Sequence, residues 1–223
     1  MVMHSHGPHV KQLISKIVTL KSNPHYRMAD VVYRKGFRYR DSTQAILAAS
    51  EFEGTILKRY LLDNPDIESP NIPLLSRIVG RTVASRKLHL PQHDELVVHI
   101  RAGDVVEHDW FLKTNFAEQI EKYSTARICS IVICFAFQEF IEKGWWLFSN
   151  EKLQKNVAML EALLVNLLSQ FPEIRFDVVS HREIDADFIY MVMAPHFIRD
   201  QGGFSDLICD VREYRAITAR RSL

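Results

Sequence analysis

The chain has 223 residues, 47% of them hydrophobic and 25% charged, with 28 Lys and Arg against 27 Asp and Glu and a formal net charge of +1. That balance excludes a chain that gathers polyanions by its overall field, and equally a disordered or collagen-like one; the length lets a core form without disulfides, in one large domain or two small ones. Residues 1–98 hold 14 basic against 9 acidic side chains and residues 99–223 hold 14 against 18, consistent with two lobes facing different ligands or with nothing more than surface variation.

The first segment, MVMHSHGPHV, has no basic stretch leading into a long apolar one, and no run approaches the roughly 18 apolar residues of a membrane span. The expectation is a cytoplasmic chain with no membrane span, or a domain of a larger or secretory-pathway enzyme. His4, His6 and His9 have metal-ligand chemistry, but their place near a terminus suits a loosely ordered tail, and no metal is expected. Val10, Leu13, Ile14, Ile17 and Val18 recur at helical spacing. In HYRMADVVYRKGFRYR, Tyr33, Phe37 and Tyr39 interleave with arginines as in a nucleic-acid stripe, yet the alternation also suits an amphipathic strand packed on a lobe. The second reading is preferred and no nucleic-acid partner is expected. A helix is predicted from Asp41 to about Leu62, capped by Asp41 or Ser42 and closed by the prolines of DNPDIESPNIP. LLSRIVGRTVASRKL predicts a third, with Gly80 inside it.

After HLPQHD the pattern changes. ELVVHI and the β-branched run RICSIVICFAF read as buried strands, separated by a helical FLKTNFAEQIEKY. Past QEFIEKGWWLFSNE, where Trp145 and Trp146 have the chemistry to stack on a sugar or to tuck back on the core, comes the most regular helical segment, KLQKNVAMLEALLVNLLSQF. Strand PEIRFDVVS, helix IDADFIYMVMA, short strand PHFIRD and helix SDLICDVREYRAI complete the chain. Strands alternating with helices of this length predict an α/β fold with a mostly parallel sheet. The division expected is a smaller N-terminal lobe over 1–93 and a Rossmann-like lobe over 94–223. Cys129, Cys134 and Cys209 form no C-x-x-C pair and read as buried, reduced thiols.

In such sheets ligands sit beyond the carboxyl ends of the strands. VVHIRAGDV, residues 97–105, runs a strand out into that zone, and the pleat sets His99 and Arg101 on one side and Val98, Ile100 and Ala102 on the other. A guanidinium fork suits a phosphate; Gly103 permits close backbone approach; Asp104 caps the turn or orients Arg101. The same residues also make an ordinary loop opening with an Arg101–Asp104 ion pair. HFIRDQGGFSDLICDV repeats the arrangement: a short strand, Gly202 and Gly203, then Phe204 and Ser205 at a helix start whose N–H groups favour an anion. Ser205 is alternatively a plain N-cap. No G-x-G-x-x-G or G-x-x-x-x-G-K-S/T stretch is present, so neither a dinucleotide dehydrogenase nor a P-loop enzyme is supported.

HIRAGD, residues 99–104, followed by DADFIYMVMAPHFIRDQGGFSDL, resembles the paired motifs of fucosyltransferase-like glycosyltransferases, the α-1,2-, α-1,6- and protein O-fucosyltransferase group. The resemblance implies a GT-B-like fold of two Rossmann-like lobes, here with the N-terminal lobe reduced and on the acceptor side. It implies transfer of a sugar (fucose, or xylose or another) from a nucleotide-diphosphate donor, GDP-fucose or another GDP- or UDP-sugar, to an oligosaccharide or glycoprotein hydroxyl, with inversion and without a required metal or other cofactor. Arg101 would hold the donor diphosphate with His99 beside it. Gly203, Phe204 and Ser205 would bind phosphate, Asp187 the base or ribose, and His181, with Arg182, the base. Asp104, Glu107, Asp109 and the terminal histidines are candidate acceptor bases. Asp185-Ala186-Asp187 spells the metal-holding motif of another transferase class, but it precedes an apolar segment instead of ending a strand. Gly202-Gly203 departs from the Ser or Asn many relatives have there. The alternative function is a non-catalytic nucleotide- or glycan-binding domain of the same fold.

Overall fold

A computed structural model of the chain describes residues 12–13, 72–85, 87–102, 115–123, 125–135, 150–179, 184–201 and 203–221. In chain order these form helix α1 (Ile72–Ser85), strand β1 (Glu95–Ala102), helix α2 (Phe116–Glu121), strand β2 (Ile128–Phe135), helix α3 (Asn150–Gln170), strand β3 (Arg175–Val179), helix α4 (Ile184–Met193), strand β4 (His196–Ile198) and helix α5 (Gly203–Arg220). The fold is α/β, with every described strand parallel to its neighbours. None of the described helices is long and apolar enough to cross a membrane.

The four strands lie in the order β3-β2-β1-β4. The chain steps outward from β1 to β2 to β3, with α2 and then α3 between strands, and returns to pair β4 on the free side of β1. Six consecutive residues of β1, Glu95 to Ile100, are buried, the pattern of a parallel strand covered on both faces. On one face Leu96, Val98 and Ile100 join Cys129, Ile131, Phe176, Val178 and Ile198 in an apolar cluster with Phe116 and Ile120 of α2 and Leu160, Leu164 and Leu167 of α3. The α3 residues recur at i, i+4 and i+7, so one stripe of that long helix faces the sheet. The other face carries buried polar groups: the Ser130 hydroxyl donates to Glu95 Oε1 at 2.5 Å, giving a buried carboxylate a partner.

Local chemistry sets the element ends. Asn115 caps α2, its Oδ1 accepting from the Glu118 N–H at 3.2 Å while its Nδ2 donates to Glu118 Oε2, a reciprocal cap. Pro172 follows α3 closely and forbids its continuation. Pro73 is tolerated in α1 because the first turn needs no N–H donor there. Gly80 lies mid-helix, and a Cβ there would meet Arg215 Nη1 at 3.6 Å, an ordinary contact. In α4, Asp187 to Val192 are all buried, so this helix has no solvent face over that stretch.

Contacts divide the chain into two compact units: Met1–Pro24 with His93–Ser180 and Pro195–Asp200, and His25–Gln92 with His181–Ala194 and Gln201–Leu223. The first holds the sheet; the described part of the second is α1, α4 and α5. This differs from a division at residue 93 alone, because α5 packs on both α1 and α4, and residues 181–194 and 201–223 thereby group with the segment before β1. Arg215 of α5 donates to the Ser76 carbonyl of α1 at 3.2 Å, and Leu75, Val79, Leu207, Ile208 and Val211 are buried. Helix α1 begins two residues before the predicted stretch, and α5 begins at Gly203, two residues before Ser205. Of the helix predicted over 10–18, residues 12–13 are described and helical, and Leu13 is buried in the apolar cluster; the predicted helix over 41–62, the aromatic stretch around Tyr33 and the Trp145-Trp146 segment lie outside the described residues.

Candidate functional site

Strand order reverses between β1 and β4, and the carboxyl ends of these two strands are where an open parallel sheet leaves a crevice for a ligand. Arg101 stands there, next to last in β1 and only partly buried. The ladder between the two strands pairs Leu96 with His196, Val97 with Phe197 and Val98 with Ile198. β4 ends at that point. Beyond it, Asp200, itself 3% exposed, accepts the Arg101 backbone N–H on Oδ2 at 2.9 Å. The carboxylate thus continues a pairing that the three-residue strand is too short to supply, and it holds the backbone beneath the guanidinium. Arg199, exposed, lies between Ile198 and Asp200.

His99 shares the sheet face of Arg101 and is 1% exposed. Burial, reinforced by the Arg101 charge, lowers its pKa from 6.5 to about 3. The imidazole is therefore neutral at physiological pH and a poor acceptor for a substrate proton. Cys129 lies on the opposite face within the apolar cluster; burial and the nearby Glu95 push its thiol up, keeping it protonated and inert. Neither Cys129 nor Cys209 is in a disulfide.

The remaining expected residues divide between the helical unit and the undescribed stretches. Asp187 is inside α4 and fully buried. Gly203, Phe204 and Ser205 open α5; Ser205 is the third residue of the helix and 1% exposed, which corrects its reading as the cap. Asp104, Glu107, Asp109, His181, Arg182 and the terminal histidines His4, His6 and His9 lie outside the described residues. Among the described residues no group of three or more His, Cys, Asp or Glu is arranged to hold a metal ion.

Asp200 and Arg199 belong to no motif that marks them in the sequence. The available signal was their position: an Arg-Asp pair immediately past a short apolar strand stands at the ligand-bearing edge whenever that strand is parallel to its neighbour. No protein-family model, curated protein or solved structure matches the chain. The functional reading therefore rests on the residues themselves.

Proposed function

We propose that the chain is a glycosyltransferase with a GT-B-like arrangement, moving a sugar from a nucleotide-diphosphate donor to a glycan hydroxyl. The observation that carries this reading is Arg101 at the carboxyl end of β1, beside the point where strand order reverses, within the H-x-R-x-G-D stretch. Cleaving a sugar–phosphate bond leaves charge on a diphosphate, and a fixed guanidinium favours that charge more after bond breaking than before. Asp200 contributes by fixing the backbone from which the guanidinium extends. His99, neutral beneath it, shapes the strand end without adding a second positive charge. The sugar is fucose, or another carried on GDP or UDP, and the acceptor an oligosaccharide or glycoprotein.

The depth of His99 favours one alternative, a nucleotide-binding domain without transfer, because it withdraws one of the groups expected beside the donor. Two measurements separate the readings. Thermal stability is followed with GDP, UDP, CDP and NAD, and hydrolysis or transfer with GDP-fucose and UDP-xylose. We expect one nucleoside diphosphate to stabilise the protein, by about 2.7 kcal/mol at a hundredfold excess over Kd. Arg101→Ala should lose both the shift and turnover. Arg101→Lys should recover little, since it lacks the fork. A nucleotide shift without turnover on any sugar nucleotide supports the binding domain; an unchanged shift in Arg101→Ala overturns the assignment of Arg101.

A further inference from the structure

Within the helical unit, α1 and α5 leave a groove of about 480 Å³ lined by Pro73, Ser76, Arg77, Tyr214, Arg215 and Thr218. It contains two arginines and no carboxylate. Arg215 donates from Nη1 to the Ser76 carbonyl at 3.2 Å and from Nη2 to Met193 Sδ at 3.5 Å. Both acceptors are neutral, so this half-buried cation has no counter-charge among the described residues, and desolvation lowers its pKa. Arg77, exposed on α1, forms no ion pair among the described residues either. The surrounding sequence repeats the imbalance. Residues 72–92 contain Arg77, Arg81, Arg86 and Lys87 without an acidic residue, and residues 214–223 contain Arg215, Arg220 and Arg221 without one.

A partly dehydrated cation held by neutral acceptors is stabilised by an incoming anion more than a solvated surface arginine is. Two guanidinium forks lining one groove suit the several oxygens of a tetrahedral oxyanion. The volume exceeds what a bare phosphate fills and lies in the range of small-molecule sites. Tyr214 and Pro73 add an apolar wall. We propose that this groove binds a small organic phosphate or sulfate ester, the oxyanion against Arg77 and Arg215 and the organic part against Tyr214 and Pro73. The site is separate from the Arg101 reading and does not depend on it.

The test is a ¹H–¹⁵N NMR titration of the full chain with phenyl phosphate, phenyl sulfate and inorganic phosphate. Saturable shifts are expected at the Arg77 and Arg215 Nε–H groups and at the Tyr214 and Thr218 amides. One ester should bind at least tenfold more tightly than inorganic phosphate, and whichever ester it is identifies the class of ligand. Arg77→Glu, at an exposed position, should keep the fold and melting temperature but weaken binding tenfold or more. Arg101→Ala should leave the titration unchanged. No saturable shift at these groups with either ester, or an affinity unaltered in Arg77→Glu, overturns the proposal.

Discussion

His99 is a titratable side chain kept from titrating. Unfolded, its imidazole takes up a proton below about pH 6.5; folded, it resists until about pH 3. Its folded pKa is depressed, so its contribution to stability is intact above pH 6.5 and is lost as pH falls from there towards 3. The slope from this one group approaches 1.4 kcal/mol per pH unit once the unfolded chain is protonated. Urea denaturation at pH 7.5, 6 and 5 should show that loss in the parent protein and a shallower one in His99→Gln. Equal slopes would mean that the imidazole takes up its proton over the same pH range in the folded and the unfolded chain. That His99 and Arg101 share a face was legible from the period of two in VVHIRA. The burial of His99 was not, since it depends on the shielding of both sheet faces, which involves residues distant in sequence. Asp200 escaped notice for a related reason: a carboxylate after a short strand has no evident partner until β4 is known to lie against β1.

At the scale of elements, one side chain of α5 closes the end of α4. A helix ends with carbonyls that have no intrahelical donor, and α4 has no basic residue in its last turn to meet them. Arg212 of α5 supplies the donor, its Nη1 reaching the Met191, Val192 and Ala194 carbonyls at 3.0, 3.1 and 2.5 Å. These charge-assisted bonds also complement the negative end of the α4 dipole. Arg212→Ala should destabilise the protein by about 2–3 kcal/mol in urea unfolding. Amide exchange over Tyr190 to Met193 should rise at the same time; unchanged protection there would show that the cap is dispensable. The existence of α4 was readable from its apolar run, but its dependence on Arg212 was not, because Arg212 lies 21 positions beyond Met191 with a strand between them. The starts of α1 and α5 were misplaced because Pro73 and Gly203 look like helix breakers, whereas the first turn accommodates both.

Across the whole molecule, alternation of apolar strands and periodic helices was enough to read a parallel α/β sheet, while strand order and the grouping of helices required long-range contacts. Each compact unit is assembled from three chain segments, so neither is a continuous piece of sequence. A fragment of residues 94–223 would keep all four strands but lose α1, and with it the burial of Leu75, Ile78 and Val79 and the acceptor for Arg215. At about 1.5–3 kcal/mol per large apolar side chain, that loss rivals the stability of an ordinary domain. The fragment should therefore unfold non-cooperatively and bind a hydrophobic dye. A sharp, two-state transition like that of the full chain would show that the helical unit is not needed. The bond from the Arg101 amide to Asp200 joins positions 99 apart in the sequence. During synthesis the arginine leaves the ribosome long before its carboxylate partner exists. A nascent chain stalled ahead of β4 would thus carry the guanidinium on an unfinished edge, and the backbone at this position would be held only once Asp200 has been added.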